Sequence, residues 1–279
     1  MSSALGAFLR SRRDRLTPAR AGITPFPGPR RVPGLRKEEL AVLAGLSPDH
    51  YSRLEQGRQH TLTDDVLAAL ARALQLDDVE RAHLRDLAAP ARRRGSGWEV
   101  AQRPDAGLLR LMTSLSHLPT LLLGRRGDVL ATGPLLGAVL GVELAAGDSF
   151  HRWLFLDPRA RERITNWSDF AAASVGALRY EVGRHPDDRR LTELVSHLRA
   201  ADGDVARWWD DHGVTDRTSV TKYIAHPTVG RLEFGIEAVS VPHDPEQRLV
   251  VYTVEPGSPT ARVLPLLASW VDTGDRAPA

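Results

Sequence analysis

The sequence predicts two unlike folds in one chain: an all-α N-terminal part of five helices, then an α+β part built on a five-stranded antiparallel sheet. Three observations predict this. Apolar residues recur at helical spacing through the first ninety residues. Beyond "PARRRGSG", residues 90–97, runs rich in β-branched and aromatic residues alternate with helical ones. The charge divides at the same place: residues 1–95 hold 17 Lys plus Arg against 11 Asp plus Glu, leaving 20 against 24 for residues 96–279. A basic first part suits a polyanionic partner, although many solvated surfaces are equally lopsided.

In the first helix Leu5, Phe8, Leu9 and Leu16 share one face, and Thr17 and Pro18 are expected to end it. Residues 17–34, with five prolines and three glycines, read as a long irregular connection. Glu38 to Ala44 makes a second helix burying Leu40 and Leu43, and Ser47 to Gln56 a third burying Tyr51 and Leu54. Thr63 caps a fourth, on which Val66, Leu67, Leu70 and Leu74 face inward, and Asp78 to Ala88 is a fifth, with Leu84 and Leu87 inward. The chain thus divides into 1–89, a linker at 90–97, and 98–279.

The second part opens with a helix over Leu108 to Leu118 and two short strands, Thr120 to Leu123 and Asp128 to Ala131. A short apolar helix, Leu135 to Leu140, and a longer helical insert follow. Three strands come next, in "RTSVTKYIAH", "GRLEFGIEAVSV" and "QRLVVYTVE". In the middle one Leu232, Phe234, Ile236 and Ala238 alternate with charged residues, so one face is core and the other wet. Pro259 to about Val271 closes the chain as a helix.

With 42% hydrophobic and 26% charged residues and no apolar run of membrane-spanning length, a soluble cytoplasmic protein is expected, with no membrane partner. The lack of cysteine excludes disulfides, cysteine-ligated metals and thiol nucleophiles. His151, His185, His212, His226 and His243 are scattered without metal-ligand spacing, and GxSxG, P-loop and dinucleotide motifs are missing. Neither an enzyme, a metal site nor a cofactor is therefore expected.

"ELAVLAGLSPDHYSRLEQGR", Glu39 to Arg58, carries the sharpest signal. Two short helices meet at a Gly-containing turn, Ser47 can cap the second with Pro48 at its first position, and Gly57 can end it. That arrangement fits a helix-turn-helix; a plain pair of packed helices would look alike. Asp49, His50, Ser52 and Arg53 point outward, and Glu55 is expected to turn inward to an arginine of the first helix, with Arg10 the first choice.

With "LGAFLRSRRDRL" upstream and "VLAALARALQLDDVERAHLRDLA" downstream, residues 4–89 resemble the XRE/Cro-repressor-like helix-turn-helix family, in the branch with a Pro-rich first connection. The resemblance implies that Ser47 to Gln56 is the recognition helix for double-stranded operator DNA. Its base-facing positions fall on Pro48, Asp49 and Arg53, flanked by His50 and Ser52. Arg53 is the best base reader, because a guanidinium bonds guanine O6 and N7 together. Asp49 either accepts from cytosine or favours the helix N-terminus. Arg36 and Lys37, Arg58 and Gln59, with His60 a further candidate, are expected phosphate contacts. Arg30 and Arg31 either follow the DNA backbone or are simply solvated.

"LPTLLLGRRGDVLATGPL", "WWDDHGV", "IAHPTVGRLEF" and "QRLVVYTVEPGSP" extend the likeness to the MmyB-like ligand-binding domain, which implies a PAS-like sheet and an apolar, fatty-acid-like ligand. Gly133 departs from the Asn common in relatives. Leu111, Leu115, Leu136, Phe155, Phe170, Leu178, Trp208, Phe234 and Ile236 are candidate pocket residues, or simply core. Arg179, Arg207 and Lys222 are candidate cations for an acidic ligand, and His226 reads as a structural hydrogen-bonder. A homodimer is expected, since one helix-turn-helix reads few bases. A C-terminal part that only dimerises, or that is an enzyme, is the alternative.

Overall fold

The computed structural model describes residues 4–30, 32–58, 62–88, 102–211 and 219–273. Arg31, Gln59, His60, His212 and the expected linker at 90–97 lie outside the described residues.

The N-terminal part holds α1 (Ala4–Arg15), α2 (Pro18–Ala21), α3 (Lys37–Leu43), α4 (Pro48–Glu55), α5 (Asp64–Ala73) and α6 (Asp78–Ala88). All five expected helices are there, and α2 is an addition inside the connection. Thr17 starts α2 where it was expected to end α1: its hydroxyl accepts from Arg20 N, and Pro18 sits where no N–H is needed. Phe8, Leu9, Leu40, Tyr51, Leu54, Leu70 and Leu84 pack into one cluster. Leu43, Val66 and Leu87 are only partly buried at its margin.

The Pro-rich connection is fastened by one carboxylate. Glu39, buried on α3, accepts from the backbone N–H of Phe26 at 3.0 Å and of Arg36 at 2.7 Å, and pairs with Arg30 at 2.7 Å. Burial opposes its charge, but those three donors outweigh burial and hold its carboxyl below the usual range. Arg30 is therefore a structural tie.

The C-terminal part runs α7 (Ala106–Ser114), β1 (Thr120–Leu123), β2 (Val129–Thr132), α8 (Pro134–Leu140), α9 (Phe150–Leu156), α10 (Pro158–Arg163), α11 (Trp167–Arg184), α12 (Arg189–Ala201), α13 (Gly203–Asp210), β3 (Ser219–His226), β4 (Gly230–Val241), β5 (Asp244–Thr253) and α14 (Pro259–Thr273). The sheet order is β2-β1-β5-β4-β3, antiparallel throughout. Helices cover both faces of β1, which explains its unbroken apolar run. Leu121 and Leu123 join the large core under the helical insert, whereas Leu122 joins Leu108, Met112, Leu249 and Val251 beneath α7. On β4 Leu232, Phe234 and Ile236 are buried as expected, while Ala238 is exposed.

The two parts touch along α11. Tyr180 lies 6.0 Å, ring to ring, from His83 of α6, and a Cβ on Gly183 would stand 2.5 Å from His83 Cε1. Arg15, at the end of α1, pairs with Asp211 beyond α13 at 2.7 Å.

Candidate nucleic-acid interface and ligand-domain core

A glycine follows each of the two helices, Gly45 after α3 and Gly57 after α4. Gly45 takes φ 66°, which lets Leu46 N donate to Ala41 O at 2.9 Å and Gly45 N to Val42 O at 3.1 Å. Gly57 repeats this at φ 70°, with Arg58 N donating to Arg53 O and Gly57 N to Leu54 O, both at 3.0 Å. At the start of α4 the Ser47 hydroxyl accepts from His50 N at 3.1 Å, with Pro48 in the first position. An eight-residue helix would fray alone, but this one is closed at both ends and buried along Tyr51 and Leu54.

Glu55 fixes how α4 sits on α1. It is fully buried and receives Arg13 Nε at 2.6 Å and the Tyr51 hydroxyl at 2.8 Å, with Lys37 Nζ at 3.3 Å. Burial works against its charge. Arg13 and Tyr51, then Lys37, prevail and hold the carboxyl below its ordinary value. The inward turn of Glu55 was expected, but its main partner is Arg13, with Arg10 farther away at 3.8 Å. Arg13 continues the buried face of Leu9 and Leu16, and that spacing could have identified it.

The outer face of α4 is open. Ser47, Pro48, Asp49 and Arg53 are exposed, and His50 and Ser52 half-buried. Asp49 and Arg53 pair across one turn at 2.9 Å. Ser52 accepts from Gln56 at 3.2 Å. Arg58 stands exposed just past the helix. Lys37 divides its position between Glu55 and the surface. Arg36 donates to the carbonyls of Pro27, Gly28 and Pro29 at 2.7–3.0 Å, and so serves the connection.

Of the expected pocket residues, Leu136, Phe155, Phe170, Leu178, Phe234 and Ile236 are buried in one cluster, with Trp208 packed against it. Leu111 and Leu115 are not brought there. Leu111 is on α7 and Leu115 caps its end, on the opposite face of the sheet, where Leu111 is 37% exposed and Leu115 packs on the smaller cluster. Among the three candidate cations, Arg207 is 67% exposed and paired with Asp204. Arg179 stacks over Trp209 at 4.4 Å, and burial, then the charges of Arg12 and Arg199, push it down to about 10. Lys222 is fully buried inside the aromatic part of the core.

His226 is a turn-former, as expected. Its Nε2 meets Ala138 O at 3.1 Å, and Thr228 N and Val229 N donate to Nδ1. Gly133 caps α8 without a side-chain hydrogen bond, and its missing Cβ would stand 2.2 Å from Thr120 Oγ1. The Thr120 hydroxyl is buried and unpaired among the described residues, a feature that sequence reasoning missed. No helix among the described residues is long and apolar enough to cross a membrane.

A capped, outward-facing second helix on a helical bundle, followed by an α+β domain, defines a helix-turn-helix DNA-binding regulator with an attached ligand domain. Two family models agree with this: a helix-turn-helix domain over residues 4–84 and an MmyB-like transcription regulator ligand binding domain over residues 104–267. The latter spans more than half of the sequence, and the chain belongs to the MmyB-like transcription regulators. Comparison with curated proteins gives no match.

Proposed function

We propose that this regulator works as a cytoplasmic homodimer that reads operator DNA through α4 and responds to an apolar, fatty-acid-like small molecule, without catalysing a reaction. The observation that carries the DNA half is the exposed Asp49–Arg53 pair on a helix capped at both ends. Arg53 takes the base edge, Asp49 orients it, and Lys37, Arg58 and Gln59 hold phosphates on either side. Arg36, tied to three carbonyls, adds charge but little reach.

The ligand half is supported by the family and by α11. Phe170 on this helix lies in the large core, while Tyr180 and Gly183 lie against His83 of the DNA-binding part. A ligand that favours one placement of α11 would shift operator occupancy only by its difference in affinity for the two arrangements.

The test is selection from a random duplex pool by the full chain at fixed salt, with native mass spectrometry of the same preparation. We expect an enriched site of two half-sites about 34–36 Å apart and a retained apolar molecule. A pool without enrichment would overturn the reading function, and a single half-site would overturn the homodimer. A protein that carries no small molecule, and whose melting temperature is unmoved by long-chain acids or alcohols, would leave a C-terminal part that only dimerises.

A further inference from the structure

The helix-turn-helix bundle holds a groove that the proposed reading of DNA leaves unused. It lies between α5 and α6 and has a volume of about 780 Å3, with none of its lining residues on α3 or α4. Leu67, Ala68 and Ala71 of α5 and Leu84 of α6 give it an apolar floor. Residues one helical turn apart share a face of α5, and at Ala68 and Ala71 that face carries only methyl groups, which leaves the groove open. On α6, Arg81, Leu84 and Arg85 line the groove, while His83 and Leu87 approach Gly183 of α11.

The rim is basic. Arg72, Arg81 and Arg85 stand around the floor, against Asp64 as the carboxylate among the lining residues. Arg72 and Arg85 are exposed and make no ion pair among the described residues. Arg81 reaches Asp78, itself 98% exposed, at 3.4 Å, and its Nε is buried with no hydrogen-bond partner among the described residues. A guanidinium keeps its charge at any physiological pH and only donates, so all three call for acceptors.

We infer that the α5–α6 groove docks an acidic amphipathic helix of a protein partner, while α4 stays free for its own task. The partner's apolar stripe covers Leu67 and Leu84 and passes close over Ala68 and Ala71, and its carboxylates meet the three arginines. Charge and shape together select this occupant. A DNA backbone has phosphates for the arginines but no apolar stripe for the floor. A second copy, joined through the same patch on both sides, would bring one arginine rim against another. A basic helix would fit the floor and be repelled by the rim.

The probe is a fluorescein-labelled peptide of about four helical turns, with Leu at i, i+3, i+4 and i+7 and Glu on both flanks of that stripe. Its binding to the full chain is read by anisotropy at fixed salt, beside versions that carry Gln or Lys in place of Glu. The Glu peptide should bind at least about tenfold more tightly than the Gln peptide, and the Lys peptide most weakly. Arg72→Glu combined with Arg85→Glu, both at exposed positions, should reverse the order of the Glu and Lys peptides and leave operator binding unchanged. Ala68→Trp, also at an exposed position, fills the groove and should weaken the Glu peptide at least about tenfold. Equal binding of the Glu and Gln peptides, an order unchanged by the double reversal, or binding of none of the three overturns the assignment. A double reversal that weakens binding to unrelated duplex with a shallower salt dependence overturns it in favour of phosphate contacts. An Ala68→Trp chain that turns monomeric in light scattering overturns it in favour of a contact between copies.

Discussion

Glu55 closes the space between α1, α3 and α4, and what it costs to disturb depends on burial. Glu55→Gln leaves Arg13, itself 5% exposed, with only the partly exposed Asp14 as a counter-charge. We expect a loss of about 3 kcal/mol in denaturant unfolding of the DNA-binding part. Asp49→Ala removes an ion pair whose members are 79% and 54% exposed, and should cost under about 1 kcal/mol. Such a contrast separates the pair that builds the helix-turn-helix from the pair proposed to read DNA. Thr120 presents the reverse case, a buried hydroxyl with no described partner beside Gly133. Thr120→Val should be neutral or stabilise by up to about 1 kcal/mol, because a desolvated and unpaired polar group is removed at nearly constant shape. A loss of more than that in thermal unfolding would show that the hydroxyl has a task.

At the scale of elements, Glu39 and Glu55 tie α3 and α4 to the segments beside them, and both carboxyls are held below their ordinary range. A carboxyl lowered in the folded state lends stability that is present above its unfolded value of about 4.3 and vanishes as the pH falls through the folded value. The helical part should therefore lose stability below about pH 4, and Glu55→Gln should flatten that slope, as read by circular dichroism across an acid titration. Much of the element map was legible in the sequence because the periodicities are clean: α6 keeps its expected ends, and β4 alternates from Leu232 to Ile236. The misses have physical causes. "FHRWLFL" of α9 interrupts its apolar residues only at His151 and Arg152 and offers no clean period, and Thr17–Pro18 ends one helix as readily as it starts the next. Periodicity shows that α7 has an apolar face but not which side of the sheet it covers, so neither the exposure of Leu111 nor the packing of Leu115 on the smaller cluster was legible. On the outer face of α4 the exposure of Asp49 and Arg53 was legible, whereas His50 and Ser52 are half-buried. The choice of Arg13 over Arg10, and the burial of Lys222, depended on packing between distant segments.

For the whole molecule, the contact of α11 with α6 is built around a missing side chain. Gly183→Val would drive a methyl group into His83, which is 2% exposed and backed by Phe8 at 5.1 Å. We expect this change to separate the two parts, so that calorimetry resolves two unfolding transitions and any effect of a ligand on operator affinity shrinks, while ligand binding itself remains. Arg15→Asp should act in the same direction, and combination with Asp211→Arg should restore the coupling, since the charge pair is exchanged rather than removed. Arg53→Ala is the variant that tests the proposed reading of bases by the exposed face of α4. Its binding to the selected operator and to unrelated duplex is measured by gel shift over a range of salt concentrations. Specific affinity should fall by about 1–3 kcal/mol and selectivity should relax at one base pair of each half-site, while binding to unrelated duplex changes far less. Equal loss on every sequence with a shallower salt dependence, or no loss at all, would contradict it.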